Sequence, residues 1–361
     1  MLYFQEHIWA DGKRNEARAQ AARLIHASPS EVGLGEGGTY GLSVFARVLS
    51  NELEPGDNII TTDMEFLQST HPWQIVSKRK HVEIKAVKNK NGTYDVSEFE
   101  KIIDAKTRVI TISSVQWNNG FKMDIAHLGE IARRKNIFLI VDAAQHLGAA
   151  EFDCSKMDID FLSSSGHKWL VSPFGIGVFY VNKRILESID PDIVGYINVK
   201  PPRNFTRMMQ FFENPDSSPL EEFKPIRDEA RKFEVGGTAN YPGAIGLNAS
   251  LQMFNNMGMN NIASRILDLG DYLVQQLEKI DVGIVSPKDR EHRAGITTIK
   301  VSRTPEEEKK FLAWLKEKEI YVSLRYASNI GGVRVSTHLY NNESDIEKFV
   351  DAIKEYRRAR G

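Results

Sequence analysis

The first half of the chain alternates between two hydrophobic periods. Residues 39–53 carry Leu42, Phe45 and Leu49 at helical spacing, which predicts an amphipathic helix. Short β-rich runs occur at residues 58–63, 81–87, 108–115, 137–145, 160–165 and 175–181, with helical patterns between them at 66–80, 96–103 and 124–136. Apolar strands that alternate with helices predict a mainly parallel sheet covered by helices on both faces.

The second half has a different pattern. Residues 182–240 are polar and irregular, and a connection of that length is usually functional or mobile. Helical patterns return at 242–256 and 260–279, and strand-like runs at 283–287, 296–301, 320–325 and 332–337 then alternate with helices at 305–318 and 343–358. We therefore expect a large α/β domain at residues 15–255. Residues 256–361, together with residues 1–14, are expected to form a smaller α+β domain.

Composition and charge exclude several classes of protein. The 361 residues hold 47 Lys and Arg against 48 Asp and Glu, so no overall field favours nucleic acid or an anionic membrane. No uncharged stretch is apolar enough to span a bilayer, and charges throughout the first 25 positions exclude a signal-peptide core. The single cysteine, Cys154, cannot form an intramolecular disulfide or a cysteine cluster, which is typical of a reducing compartment. We expect a cytoplasmic protein without a nucleic-acid, membrane or metal partner.

A glycine-rich stretch leads directly into the first predicted helix of the sheet. In GLGEGGTYG, residues 33–41, Gly37 and Gly38 allow a ligand to approach the backbone closely. The helix that follows offers free N–H groups to a phosphate. The spacing matches neither a P-loop nor GxGxxG, so a flexible glycine-rich turn is the alternative interpretation.

Two further candidates follow apolar strands. Asp142 ends the run IFLIVDAAQ, where it is either a helix cap or a functional carboxylate. Lys168 lies in SSSGHKWL beside Ser165 and His167, and by itself it could be an ordinary loop lysine. A phosphate cradle, a strand-end carboxylate and this lysine together suit pyridoxal phosphate. That cofactor needs a lysine for a Schiff base, a carboxylate at its pyridine nitrogen and donors for its phosphate.

The segment VDAAQHLGAAEFDCSKMDIDFLSSSGHKWLVSPFGIGVFYV, residues 141–181, resembles the cofactor-lysine region of the class V aminotransferase family. The resemblance extends from about residue 16 to the C-terminus through ELEPGDNIITTDMEF, HPW, FEVGGTANYPGAIGLNASL and GGVRVSTHLYNNESDIEKF. This family of fold type I pyridoxal-phosphate enzymes includes cysteine desulfurases, selenocysteine lyases, isopenicillin N epimerases and kynureninase-like enzymes. The resemblance implies a mainly parallel, seven-stranded large-domain sheet with a smaller α+β C-terminal domain.

The resemblance also implies roles for individual residues. Lys168 would form the Schiff base and move the α-proton, while Asp142 would pair with the pyridine nitrogen and Gln145 would reach the phenolic oxygen. Arg334 would bind the substrate carboxylate through a bidentate pair. The phosphate would be held by Gly38, Thr39, Ser165 and His167, and by Gly237 and Thr238 from the second subunit of a homodimer with shared active sites.

Several departures from the family limit the choice of reaction. The stretch SLRYASNIGGVRVS lacks the nucleophilic cysteine of cysteine desulfurases, and Cys154 is interpreted as a structural thiol. Phe66 occupies the ring-stacking position where many desulfurases have histidine, and it cannot exchange protons. Trp117 stands near where desulfurases often have asparagine, so it either walls the substrate pocket or packs in the core. The Asn-Ala-rich opening strand of the family has no counterpart, so either the chain begins late or that wall is built differently.

Three hypotheses follow for the function. The preferred one is a pyridoxal-phosphate enzyme acting at the α-carbon of an amino acid, either an aminotransferase or an epimerase-like member of class V. The alternative within the family is a β-lyase of the selenocysteine lyase or cysteine desulfurase type, which the missing cysteine disfavours. The third is a non-catalytic binding protein that keeps the pyridoxal-phosphate fold.

Overall fold

Seven strands form one sheet in the first two thirds of the chain. The computed structural model describes residues 2–195, 197–198, 214–216, 226 and 228–359, with side chains from residue 9 onward. The strands are β1 (Val32–Gly35), β2 (Asn58–Thr62), β3 (Glu83–Val87), β4 (Thr107–Ser113), β5 (Phe138–Asp142), β6 (Phe161–Ser165) and β7 (Gly177–Val181). Their order is β1-β7-β6-β5-β4-β2-β3, and only β7 runs antiparallel to its neighbours. The predicted mainly parallel seven-stranded sheet is confirmed.

Helices cover both faces of this sheet. They are α1 (Leu2–Leu24), α2 (Gly38–Leu49), α3 (Leu67–Lys80), α4 (Val96–Ile102), α5 (Ile125–Arg134), α6 (Lys183–Ser188) and α7 (Tyr241–Met257). On β5, Leu139 and Val141 join the core that contains parts of α1, α5 and α7. The intervening Ile140 joins the core on the other face with Phe45 of α2. Because both faces are buried, the strand reads as a continuous apolar run.

The C-terminal part forms a second, antiparallel sheet. Its strands are β8 (Gly283–Ile284), β9 (Ile296–Lys300), β10 (Ser323–Ala327) and β11 (Ile330–Ser336), in the order β10-β11-β9-β8. Three helices accompany it: α8 (Met259–Glu278), α9 (Pro305–Glu317) and α10 (Glu343–Arg358). Leu273, Phe311 and Phe349 of these helices pack with Val333 in a separate hydrophobic core. This is the predicted smaller α+β unit.

The glycine-rich stretch 33–41 differs from its prediction. Its first residues form strand β1, which pairs with β7 through Gly33 and Phe179. A Cβ atom built on Gly33 would lie 2.0 Å from the Phe179 ring, so glycine is needed here for close packing. Helix α2 then begins at Gly38, after Gly37 with φ of 148°.

Helix α1 is the other unexpected element. It runs along α7, and its Arg14 and Arg18 form buried ion pairs with Glu234. Asp11 accepts a hydrogen bond from the Tyr241 hydroxyl. These contacts place residues 11–18 on the large unit, whereas the sequence assigned residues 1–14 to the small one. The domain division as a whole stays a prediction.

The polar segment 182–240 is only partly described. Helix α6 and a short 3-10 helix at Ala230–Phe233 lie within it, while most of the stretch 199–227 lies outside the described residues. No helix in the described part of the chain combines the length and the apolar character needed to cross a membrane.

Candidate active site

The carboxyl ends of three adjacent strands meet at one edge of the large sheet. Ser113 of β4, Asp142 of β5 and Ser163 of β6 are in register; β4 and β5 end at this level, and β6 continues to Ser165. Open parallel sheets bind ligands at this edge. Lys168 follows β6 by three residues, and the N-terminus of α2 approaches from the side, where the Gly38 N–H donates to Ser165 Oγ at 3.0 Å.

Asp142 is fixed by three hydrogen-bond donors. Its Oδ2 accepts from Gln68 Nε2 at 2.7 Å and from Ser69 Oγ at 2.8 Å, and its Oδ1 accepts from the Ala144 N–H at 2.9 Å. The side chain is almost fully buried, with only 4% of the residue exposed. A carboxylate has about four lone-pair sites, so one acceptor position is left for a further donor.

Lys168 lies in a partly buried position between charges of both signs. Its Nζ is 5.7 Å from the centroid of the Phe66 ring. Burial lowers the pKa of the Lys168 amine, Asp142 opposes this effect, and the positive charge of Arg334 lowers the pKa further. A lowered pKa increases the neutral fraction of the amine, which is the form that acts as nucleophile or base.

The glycine turn and Ser165 form a cradle beside α2. A Cβ atom on Gly38 would lie 3.1 Å from Ser165 Oγ and 3.3 Å from Gln68 Nε2, so glycine relieves close contacts here. Thr39 Oγ1 donates to Gln68 Oε1 at 2.8 Å. His167 is exposed and stacks on Phe174 with ring centroids 4.7 Å apart. Partial desolvation of the ring lowers the pKa of His167, and the positive charge of Lys168 lowers it further.

Gln145 is oriented by the residue that follows the lysine. The indole Nε1 of Trp169 donates to Gln145 Oε1 at 2.9 Å, which leaves the NH₂ group of Gln145 as a donor. The Trp169 ring stacks on His338 of the small unit, with centroids 5.0 Å apart and an angle of 16°. His338 Nε2 and the Trp169 carbonyl are 3.0 Å apart.

Arg334 reaches the site from strand β11 of the small unit. Its Nη1 donates to the Trp117 carbonyl at 2.7 Å, and the Trp117 indole donates to the Met64 carbonyl at 2.8 Å. The Phe66 and Trp117 rings meet edge to face, with centroids 5.2 Å apart. Burial, aided by the charge of Arg325, lowers the pKa of Arg334 to about 10. Trp117 is therefore next to Arg334 and Phe66, and its role as a wall of the substrate pocket stays a prediction.

Gly237 and Thr238 do not join the other predicted residues. Both are exposed, and a Cβ atom on Gly237 would meet nothing within 4 Å. Thr238 instead shares a surface cavity of about 220 Å³ with Gly35, Glu36 and Tyr40. Their assignment to the site of a second subunit stays a prediction.

Cys154 also lies apart from these residues. It begins a short 3-10 helix, and its N–H donates to the Ile25 carbonyl at 2.9 Å. The thiol is buried, and burial raises its pKa well above the usual value. Such a thiol is unreactive. Among the described residues, no group of three His, Cys, Asp or Glu side chains could hold a metal ion.

Three polar residues of the site were not predicted from the sequence. Gln68 and Ser69 hold Asp142, and Glu65 anchors the same turn by accepting from Thr62 Oγ1 at 2.7 Å and from Gln116 Nε2 at 3.1 Å. Burial raises the pKa of Glu65. All three follow strand β2, at the same sheet edge as Asp142, so their position after an apolar strand is the signal that indicates them.

The donor set fits pyridoxal phosphate. An amine with a lowered pKa, a buried carboxylate with one acceptor position left and a glycine cradle beside a serine hydroxyl lie at one sheet edge. These are the three groups that the cofactor requires. In this arrangement Lys168 would hold the aldehyde carbon, Asp142 the pyridine nitrogen, and Gly38 with Ser165 the phosphate.

Comparisons with known proteins agree with this geometry. The family model "Aminotransferase class-V" matches residues 6–349. An uncharacterized aminotransferase of Schizosaccharomyces pombe is 30% identical over 352 residues, which cover 96% of this chain and 82% of that protein. A probable cysteine desulfurase of Pyrococcus abyssi is 26% identical over 356 residues, covering 96% of this chain and 84% of that protein.

Solved structures with a similar fold include a cysteine desulfurase. The cysteine desulfurase of Thermococcus onnurineus superposes with a TM-score of 0.85 at 25% identity, covering 97% of this chain and 85% of that chain. C-DES with glycine covalently linked to its pyridoxal-phosphate cofactor has a TM-score of 0.84 at 21% identity, covering 97% and 89%, a likeness that concerns the fold. The chain therefore belongs to the class V aminotransferase family, and its cofactor is pyridoxal phosphate.

Proposed function

We propose that this protein is a β-lyase that breaks the bond between the β-carbon and sulfur, or selenium, of a cysteine-type amino acid. The observation that carries the proposal is the grouping of Lys168, Asp142 and Arg334 in one site, in a chain similar to cysteine desulfurases. This similarity supports the alternative from the sequence more than the preferred aminotransferase or epimerase.

The residues of the site suit such an elimination. When bound, pyridoxal phosphate withdraws electrons from the α-carbon and makes its bond to hydrogen easier to break. Arg334 would hold the substrate carboxylate, and Lys168 would take the α-proton on Nζ because its lowered pKa favours the free amine. As the Cβ–S bond breaks, the sulfur leaves with the electron pair and takes a proton. Hydrolysis of the three-carbon product would then give pyruvate and ammonia.

The position of Cys154 decides which sulfur chemistry is proposed. Cys154 is the single cysteine of the chain, and it is buried outside the site with a raised pKa. No thiol of this chain can therefore receive the sulfur as a persulfide. We propose that the sulfur leaves directly as a thiol or sulfide and that pyruvate, rather than alanine, is the carbon product.

Product analysis tests this proposal. The protein loaded with pyridoxal phosphate is incubated with cysteine, selenocysteine and S-methylcysteine, and sulfide, selenide, methanethiol, pyruvate and alanine are measured. We expect pyruvate in equal amount to the released thiol, sulfide or selenide, with Lys168→Ala as the inactive control and Cys154→Ser as the active one. Absence of sulfur or selenium release from these three substrates and from S-carboxymethylcysteine, which carries a second carboxylate, would overturn the proposal.

Aminotransfer is a second candidate. It is favoured by the 30% identical aminotransferase and by Phe66, which cannot supply a proton to a leaving group. The same substrate panel with a 2-oxo acid separates the two functions. Formation of a new amino acid from the 2-oxo acid, without sulfur release, would support aminotransfer.

We further propose that two copies of the chain share their active sites. Gly237 and Thr238 are exposed outside the site formed by Lys168, as expected of residues offered to a partner copy. Mixing Lys168→Ala with Thr238→Glu should then restore activity that neither variant has alone, because one hybrid site regains both residues. No recovery from a mixture that forms mixed dimers would contradict sharing.

A further inference from the structure

A second arginine, Arg325, lies beside Arg334 on the face of the small sheet that is turned toward the large unit. In the β10–β11 pair, Arg334 is opposite Ser323 and Arg325 is opposite Gly332. Directly paired residues share a face, and so do residues two apart along a strand. Arg325 is therefore the diagonal neighbour of Arg334, at a spacing of about 7–8 Å.

Contacts on both faces show which way these arginines point. Thr298, the partner of Arg334 on β9, donates its hydroxyl to the Asn118 carbonyl of the large unit at 2.7 Å. Ala327 and Ile330, which share the same face, pack against the core of the large unit. Tyr326, which follows Arg325 and so lies on the opposite face of the sheet, instead donates its hydroxyl to Glu308 of helix α9.

The hairpin turn fixes this face against the site. Ser328 Oγ donates to the Asp63 carbonyl at 2.6 Å, and Asn118 Nδ2 donates to the Ile330 carbonyl at 3.1 Å. Gly332, opposite Arg325, packs closely on strand β9, because a Cβ atom there would lie 2.2 Å from the Ile299 carbonyl oxygen. Arg325 thus borders the same pocket as Arg334 and Trp117.

Neither arginine forms an ion pair with an acidic side chain among the described residues. Arg334 uses Nη1 for the Trp117 carbonyl, and its Nε is buried without a hydrogen-bond partner. Arg325 uses Nη1 for the carbonyl of its neighbour Leu324. The positive charge of Arg325 contributes to the lowered pKa of Arg334, so the two groups repel each other. Both arginines are half-buried, and two cations at a ligand site without an acidic partner among the described residues suit a ligand with two negative groups.

Resting on the β-lyase function proposed above, we propose that the substrate is a β-substituted alanine whose sulfur substituent carries a second anionic group. Arg334 binds the α-carboxylate, and Arg325 binds the anion of the substituent. Because the two arginines are diagonal neighbours on adjacent strands, they suit a substrate with a second carboxylate a short distance beyond the sulfur. Cysteine itself lacks this group, so the second arginine selects against it.

A pair of nearly isosteric substrates tests this assignment. S-carboxymethylcysteine carries the second anion, whereas S-carbamoylmethylcysteine replaces it with a neutral amide of almost equal size. Binding is measured through the change in cofactor absorbance, and elimination through pyruvate. We expect the acid to bind about 10- to 100-fold more tightly than the amide, as is typical of a hydrogen bond to a charged group.

Two variants then separate the roles of the arginines. Arg325→Gln should remove the preference for the acid and leave binding of the amide unchanged. Arg334→Gln should weaken both ligands by the same factor. Arg303→Gln, which removes an exposed arginine of the same unit, is the matched control and should keep the preference. Arg325→Lys should retain part of the preference for the acid, and its folding tests whether the position tolerates substitution.

The outcomes distinguish this inference from the proposed function. Equal binding of acid and amide by the unmodified protein would overturn the inference, as would a preference that survives in Arg325→Gln. Equal losses for both ligands in Arg325→Gln would show that both arginines hold one carboxylate, which also overturns it. A preference in binding without pyruvate would contradict the β-lyase function and leave the second anion site supported.

Discussion

Asp142 and Arg334 are the two charged groups that influence Lys168, and their surroundings differ. The Asp142 carboxylate accepts three hydrogen bonds from Gln68, Ser69 and Ala144. Arg334 has one hydrogen bond to a carbonyl, a buried Nε without a partner and a second arginine nearby. The carboxylate is thus stabilised by the protein itself, whereas the guanidinium groups lack negative partners among the described residues. The site thus has an Asp142 end, which the protein stabilises by itself, and an Arg334 end, which would be stabilised by a ligand that supplies negative charge.

The largest expected effect concerns Lys168, because it lies between the two ends. Replacing Lys168 with Ala should abolish the Schiff-base absorption band and reduce turnover by about 10³-fold or more, since nucleophile and base are lost together. The measurement is the visible spectrum of the cofactor-loaded protein together with product formation. Lys168→Arg is the control that keeps the charge. A normal absorption band in Lys168→Ala would contradict the assignment.

The second prediction tests whether the Asp142 end contributes to stability. Asp142→Ala should leave the half-buried Gln68 and the buried Ser69 donors without their acceptor and lower the free energy of unfolding by about 1–3 kcal/mol, even without cofactor. Arg334→Gln should leave that free energy nearly unchanged or raise it slightly, because it removes an unpaired cation. Urea unfolding of both variants without cofactor measures the difference. If both variants lost the same free energy of unfolding, the proposed difference between Asp142 and Arg334 would be wrong.

The third prediction concerns the effect of Arg334 on substrate and pH. Arg334→Gln should raise KM for amino-acid substrates about 10- to 100-fold, since a charged hydrogen bond to the carboxylate is lost. The charge of Arg334 lowers the pKa of Lys168. Removing it should raise that pKa, so the free amine, and the activity that depends on it, would appear at higher pH.

A pH profile of kcat in the two proteins measures this shift, because kcat reports ionisations of the enzyme–substrate complex, in which Lys168 would act as a free amine. Arg303→Gln is the control for a general loss of positive charge on the small unit. A shift toward lower pH, or an equal shift in the control, would contradict the proposed influence of Arg334 on Lys168.

The two ends also differ in how far the sequence predicts them. Asp142 ends a continuous apolar run, so its place at the edge of a parallel sheet follows from local pattern. Arg325 gave no such signal, because the face it occupies depends on the β10–β11 register and on the contact of Thr298 with Asn118. Strand β1 was missed for a related reason. Glycine disfavours strands, and the pairing of Gly33 with Phe179 overrides that preference.

The smallest expected effect concerns Trp169, which connects the two units behind the site. Trp169→Phe removes the donor to Gln145 Oε1 but keeps an aromatic ring against His338. The Gln145 amide should then be free to rotate, so its NH₂ group is presented to the phenolic oxygen for only part of the time. One neutral hydrogen bond is worth about 0.5–1.5 kcal/mol, so turnover should fall about 2- to 10-fold.

The Schiff-base spectrum distinguishes this orienting role from loss of packing. A hydrogen bond from Gln145 to the phenolic oxygen, as predicted, would stabilise the ionised phenol, so Trp169→Phe should raise the pKa at which the absorption band changes. Gln145→Leu should raise it at least as much, and Trp169→Phe added to Gln145→Leu should change it no further, because both changes remove the same bond. Additive shifts in the double variant would show that Trp169 acts on the site through packing and not through Gln145.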